Sequence, residues 1–182
     1  MPDAFEGHLI LALDGHDGSG KTTLARRLAK TMSVPYVRPF TGAGGQRLLN
    51  DAAAGRFGEV SHAAKGMVND ALALVSDPVV VFDRHWMTVF TLVDESWWHE
   101  WMPLPPTLLC WIDLGTTLQR LGARDEPPSA IEEHTRYLAA YRELAARFDC
   151  ETVRTDLLGE DEAFAFALVW AERSVARVGA PP

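Results

Sequence analysis

"LILALDGHDGSGKTTLARRLA", residues 9–29, decides how the rest of the chain is read. The apolar run Leu9–Leu13 reads as a strand, and Lys21–Met32 carries apolar residues at 24, 25, 28, 29 and 32, a helical spacing. Between them lie three glycines, and the helical stretch opens with a lysine and two threonines. Outward from this stretch, strand and helix keep alternating. Val34–Val37 is a short strand. Glycines at 42, 44 and 45 mark a loop before a short helical stretch near 46–54, and Val60–Ser76 reads as a long helix. "DPVVVFDRH" (77–85) is a turn and a buried strand, Val79–Asp83. Residues 86–102 read as a tryptophan-rich helix that "PLPP" at 103–106 stops. "TLLCWID" (107–113) is another strand, followed by helix at Thr116–Leu121, the polar loop "GARDEPPS" and helix at Ala130–Phe148. A last strand, Thr152–Thr155, precedes a last helix, Asp161–Ala176. The ending "VGAPP" reads as a loose tail. This alternation predicts a parallel sheet covered by helices on both faces.

The glycine cluster has a chemical reading. "GHDGSGKT", Gly15–Thr22, fits G-x-x-x-x-G-K-[ST], and it follows a strand and opens a helix, the setting a P-loop requires. Glycine lets backbone N–H groups converge on phosphate oxygens without a Cβ in the way, and the helix N-terminus adds partial positive charge. Lys21 can reach the β- and γ-phosphates, and the Thr22 hydroxyl can ligate Mg²⁺. Gly15, His16, Asp17, Gly18, Ser19, Gly20, Lys21, Thr22 and Thr23 therefore form the candidate ATP site, with His16 shaping the loop rather than catalysing. Asp83 ends a core strand, where ligands of an open parallel sheet bind, and it could hold Mg²⁺ through water. Arg84 beside it would face a second anionic group.

Composition narrows the class. The chain has 182 residues, 47% hydrophobic and 23% charged, which suits one domain with a full core. A net charge of −8 argues against nucleic acid as a partner. No apolar run approaches the ~20 residues of a membrane span. Cys110 and Cys150 read as reduced core thiols, and the acidic start without an apolar signal region leads us to expect a cytoplasmic protein.

"GHDGSGKTT" followed by "FDRH" resembles the thymidylate kinase family of nucleoside monophosphate kinases. "LLCWIDLGTTLQRLGARDE", "EEHTRYLAAYREL" and "VRTDLLGEDEAFAFAL" continue the resemblance in order. It implies a P-loop NTPase fold: a three-layer α/β/α sandwich on a five-stranded parallel sheet of order 2-3-1-4-5. The whole of 1–182 would be one kinase domain, with a LID-like loop at about 119–129 and a flexible tail at about 178–182. It implies ATP and Mg²⁺ as cofactors and a small-molecule nucleotide as substrate. Asp17 matches a carboxylate that contacts the acceptor sugar's 3′-hydroxyl. Arg84 matches an arginine on the acceptor phosphate, and Arg120 and Arg124 lie where LID arginines close on the transferring group. The chain also departs from the family pattern, mostly in the acceptor pocket. After the second strand it reads "VRPFTGAGG", with Arg38 and Pro39 in place but Phe40 where an acidic residue is usual. The third-helix arginine has no clear match, and Lys65 or His62 is the nearest cation.

Several positions stay open on the sequence alone. His85 could touch the acceptor or cap the strand end. Trp97 and Trp101 of "WWHEW" stand at helical core spacing, though tryptophans also stack on nucleobases. Trp98 and His99 would then face elsewhere, such as a partner subunit, so a homodimer is entertained. Two rivals remain beside a nucleotide kinase. One is a kinase acting on a hydroxyl, with Asp17 or Asp83 as base. The other is a nucleotide-binding switch, for which no N-K-x-D motif is present and "DLLG" at 156–159 lies far downstream.

Overall fold

A computed structural model describes residues 7–123 and 130–179. Five parallel strands form one sheet in the order β2-β3-β1-β4-β5: β1 Leu9–Asp14, β2 Tyr36–Val37, β3 Val79–Asp83, β4 Thr107–Trp111 and β5 Glu151–Arg154. This is the order that the sequence resemblance implies. Among the described residues seven α-helices surround the sheet: α1 Lys21–Met32, α2 Gly42–Ala53, α3 Phe57–Leu72, α4 Trp86–Phe90, α5 Leu114–Gly122, α6 Ile131–Arg147 and α7 Glu160–Gly179.

The period-two alternation of β1 explains the layers. Ile10 and Ala12 enter one core with Val80, Phe82 and Leu109, packed under α3, α4 and α6. Leu11 and Leu13 enter the other with Val81, Leu108 and Cys110, packed under α1 and α7. A strand buried on both faces must be apolar at every position, and β1 is so until Asp14. On α1 the buried residues Leu24, Ala25, Leu28 and Ala29 follow the spacing in the sequence.

Four expectations need correction. Gly42, Gly44 and Gly45 lie within α2 and not in a loop. Gly45 is needed there because a Cβ would stand 2.9 Å from the Phe40 carbonyl oxygen. Residues 86–102 are not one helix but α4 and a separate 3₁₀-helix, Glu95–Trp101. Trp97 and Trp101 thus leave α-helical geometry, although Trp101 is still buried and Trp97 packs on Gly58. Third, α7 continues to Gly179, past the expected start of the tail. Fourth, β2 spans two residues rather than four. Most of the LID-like loop, including Arg124, lies outside the described residues.

Candidate active site

The site lies at the C-terminal ends of β1 and β3. After Asp14 the chain enters a turn that only glycine fits. Gly15 has φ 145, and a Cβ there would stand 2.2 Å from the Cys110 carbonyl oxygen on β4. Gly20, at φ 78, is the residue before α1, and no side chain caps that helix. The first-turn N–H groups of α1 are therefore left to the loop's hollow, an anion site by construction.

Lys21 opens α1 and is 4% exposed. Its Nζ donates to the His16 carbonyl at 3.2 Å and stands 3.7 Å from Asp17 Oδ1. Burial, together with the nearby Arg84 charge, lowers the Lys21 ammonium to about 8 against the partial support of Asp17. Thr22 Oγ1 donates to Asp83 Oδ2 at 2.7 Å, and Tyr36 Oη donates to the same oxygen at 2.8 Å. The other oxygen, Asp83 Oδ1, is buried with no hydrogen-bond partner among the described residues. A hydroxyl beside a carboxylate with a spare oxygen is an all-oxygen donor pair of the kind Mg²⁺ takes, so Thr22 and Asp83 fit the ion expected of them.

A cavity of about 360 Å³ opens beside the loop. Asp17, Arg38, Phe40 and Arg84 line it together, as the sequence suggests, and His16 joins them. Arg84 donates to Asp17 and, through Nη1, to Tyr141 Oη at 3.3 Å. Its backbone is left-handed, φ 77, unusual outside glycine. Burial raises the Asp17 carboxyl, but Arg84 and then Lys21 pull it further the other way, to about 2. Burial lowers His16 to about 4 despite Asp17, so the ring is neutral. Its Nε2 meets His134 Nδ1 at 2.8 Å, and it stacks on Tyr137.

A second cavity, about 270 Å³, lies across the loop and is lined by Gly18, Gly20, Thr23 and Arg120. Arg120 donates to the Gly18 carbonyl at 3.0 Å and the Thr155 carbonyl at 2.7 Å. Thr155 Oγ1 in turn donates to the Ser19 carbonyl at 2.7 Å. Arg120 thus ties the loop to the end of β5.

Two expected acceptor contacts are not brought here. Lys65 lines neither cavity; its ammonium pairs with Glu100 at 3.6 Å and lies 6.0 Å from the Trp101 ring. His85 is fully buried between the Phe82 and Trp101 rings, and burial lowers it to about 3. The candidate switch motif is a structural turn. Asp156 accepts from Arg154 at 2.7 and 2.8 Å and from the Asp113 N–H at 3.2 Å.

The sequence reading missed Asp14, Thr88, Tyr141, His134 and Thr155. Asp14, the one charged residue of β1, was the available signal. Buried completely, it accepts from the N–H groups of Gly15, His85 and Thr88 and from the Thr88 hydroxyl. Burial pushes its carboxyl up, while Thr88, His85 and Arg84 oppose that push.

No protein-family model matches the chain. A curated protein named thymidylate kinase from Xanthomonas euvesicatoria is 31% identical over 150 residues, covering 69% of this chain and 66% of that protein. Its counterpart in Xanthomonas oryzae is 32% identical over 151 residues, with the same coverage. The match thus spans about two thirds of those relatives' length. Among solved structures, deoxyadenosine kinase from M. mycoides with bound dATP has a TM-score of 0.62 at 13% identity, covering 90% of this chain and 99% of that one. The YorR protein from Bacillus subtilis, in complex with phosphorylated GDP, also has a TM-score of 0.62, at 16% identity, covering 92% of this chain and 98% of that one. At these identities the structures speak for the P-loop fold alone.

Proposed function

We propose that the chain, which is similar to curated thymidylate kinases over about two thirds of their length, transfers the γ-phosphoryl group of ATP to a deoxynucleoside monophosphate, thymidine monophosphate (dTMP) first among them. The observation that carries this reading is the pair Arg38 and Arg84 in one cavity with Asp17, beside the phosphate loop. Two guanidinium groups at the end of β2 and just after β3 suit a phosphate-bearing acceptor.

In this reading Gly15–Thr23 cradles the donor phosphates, and Lys21 follows the charge on the transferring group. Mg²⁺ held by Thr22 and Asp83 would neutralise the β- and γ-oxygens. Arg84 and Arg38 hold the acceptor phosphate in line, Asp17 takes the sugar hydroxyl, and Phe40 walls the pocket. Arg120 steadies the loop from the β5 side. An acceptor phosphate is already an anionic nucleophile and needs no strong base. A hydroxyl acceptor needs one, and the carboxylates fit that need poorly. Asp17 is held near 2 by Arg84 and Lys21 against burial, and Asp83 already takes Thr22, Tyr36 and, at 3.4 Å, Arg38.

Arg84→Ala tests the reading. Acceptor KM rises and kcat falls, together about 10²-fold or more in kcat/KM. Affinity for an ATP analogue stays near wild type. Wild-type acceptor affinity with weakened ATP binding would move the assignment to a hydroxyl-directed kinase.

A further inference from the structure

We propose that Asp14 is a positioning residue for the acceptor site: through Thr88 and Tyr141 its carboxylate fixes the plane of the Arg84 guanidinium. This rests on the reading of Arg84 as the acceptor-phosphate anchor, and it assigns a role to three residues, of which Thr88 and Tyr141 line the cavity beside Arg84 and Asp14 lies buried behind them.

Burial raises the Asp14 carboxyl, but both its oxygens already face backbone N–H groups, which can only donate: Gly15 on Oδ1, and His85 and Thr88 on Oδ2. In that setting the carboxylate acts as an acceptor. Thr88 Oγ1, at 2.6 Å from Asp14 Oδ1, must therefore donate to it. Its single hydrogen is then used, so towards Tyr141 Oη, 2.9 Å away, Thr88 can only accept. Tyr141 spends its own hydrogen on Thr88 and is left as an acceptor for Arg84 Nη1 at 3.3 Å. The same nitrogen lies 3.4 Å from Thr88 Oγ1. The chain runs one way, from guanidinium to tyrosine to threonine to Asp14, and a proton donor in place of Asp14 Oδ1 would reverse it. On the opposite side Arg84 Nη2 donates to Asp17. The planar group is thus held at both edges.

Asp14 also shapes the backbone that carries Arg84. Its Oδ2 accepts from the His85 N–H at 2.9 Å and the Thr88 N–H at 3.3 Å, across the turn into α4. Arg84 sits at the start of that turn in a left-handed conformation, φ 77, which persists only where its surroundings impose it. One carboxylate therefore sets both the path of the turn and the orientation of the side chain it presents. A phosphate anchor needs both, because a displacement of about 1 Å at a reacting group can cost about 10²-fold in rate.

The test reads dTMP binding by calorimetry beside binding of a non-hydrolysable ATP analogue, in wild type, Thr88→Val, Thr88→Ser, Tyr141→Phe, Asp14→Asn and Arg84→Ala. Thr88→Val and Tyr141→Phe preserve shape and remove one link each, so they carry the test even if Asp14→Asn does not fold. Each weakens dTMP binding about five- to tenfold, while affinity for the analogue stays within about twofold. Thr88→Ser, which keeps the hydroxyl, binds dTMP close to wild type. Adding Thr88→Val to Asp14→Asn weakens dTMP binding no further, because the link is already broken. Unchanged dTMP affinity in both Thr88→Val and Tyr141→Phe, with Arg84→Ala still impaired, overturns the inference alone. Equal loss of dTMP and analogue binding also overturns it, since that marks a general structural role. Wild type that fails to bind dTMP, or Arg84→Ala that binds it as well as wild type, overturns the acceptor reading and this inference with it.

Discussion

Lys21 is a nearly buried cation that leans on the carbonyl of its own loop and on Asp17. A buried ammonium is held charged only by its neighbours, and in the proposed function phosphate oxygens would be those neighbours. Lys21→Ala should leave the fold intact by circular dichroism and lower turnover about 10³-fold or more. Turnover near wild type would remove the loop from the mechanism. The titration of Lys21 gives a second check. Burial holds it at about 8 in the free protein, well below its usual 10.5. Phosphates would favour the charged form and raise it. Nucleotide binding should therefore take up protons above pH 8, and affinity should decline as pH rises further. Calorimetry in buffers of different ionisation enthalpy reads this directly, and proton release on binding at pH 9 would contradict it. The geometry of the loop at 15–22 is legible in the sequence because its determinants are local. Eight consecutive residues contain the turn, the cation and the hydroxyl. Asp14 was not legible in the same way, since Thr88, which bonds it, and Tyr141, which bonds Thr88, come from α4 and α6 and meet only in the fold.

The elements show where periodicity informs and where it does not. β1, β3 and α1 match expectation nearly residue for residue because their apolar patterns are unbroken. The segment 86–102 did not, because tryptophan spacing alone does not separate an α-helix from shorter turns anchored by individual side chains. Trp86 Nε1 donates to Thr107 Oγ1 at 2.7 Å, and Trp101 Nε1 donates to Ser61 Oγ at 3.0 Å, so each piece is pinned separately. Lys65 was misplaced for a related reason. Its helix is right, but the face it occupies turns towards Glu100 rather than the cavity. Two glycine substitutions test the element-scale account as a pair. Gly15→Ala forces a Cβ against β4 and should cost about 3 kcal/mol or more, lowering Tm by roughly 6–12 °C and abolishing nucleotide binding. Gly66, inside α3, has nothing within 4 Å of where a Cβ would stand, so Gly66→Ala should be neutral or raise stability by about 0.5–1 kcal/mol. Thermal unfolding of the two variants checks both signs, and equal loss in both would contradict the packing described.

At the scale of the whole molecule, the sheet order and the two cores were legible from alternation and resemblance, whereas the distribution of buried polar groups was not. Those groups set the pH response. Burial lowers His16 to about 4, with Asp17 opposing, and His85 to about 3, against 6.5 for an exposed ring. The unfolded chain therefore binds more protons below pH 6.5, and stability is lost as pH falls from 6.5 towards those values. Each group contributes up to about 1.4 kcal/mol per pH unit. Asp14 acts the other way, because burial raises its carboxyl and the folded form takes up that proton first. The histidine contribution is therefore read as a difference: between pH 6.5 and 5 the Tm of His16→Gln should fall less than that of wild type. An equal fall in both would contradict this. The central claim, that one domain sets a donor's terminal phosphate against an acceptor phosphate held by Arg38 and Arg84, has a direct test. Purified protein is incubated with ATP, Mg²⁺ and either dTMP or thymidine, and the products are separated by anion exchange. ADP and thymidine diphosphate should form from dTMP, with little product from thymidine and no reaction with Lys21→Ala. Phosphorylation of thymidine with dTMP left untouched, or tight ATP binding without transfer to either acceptor, would contradict it.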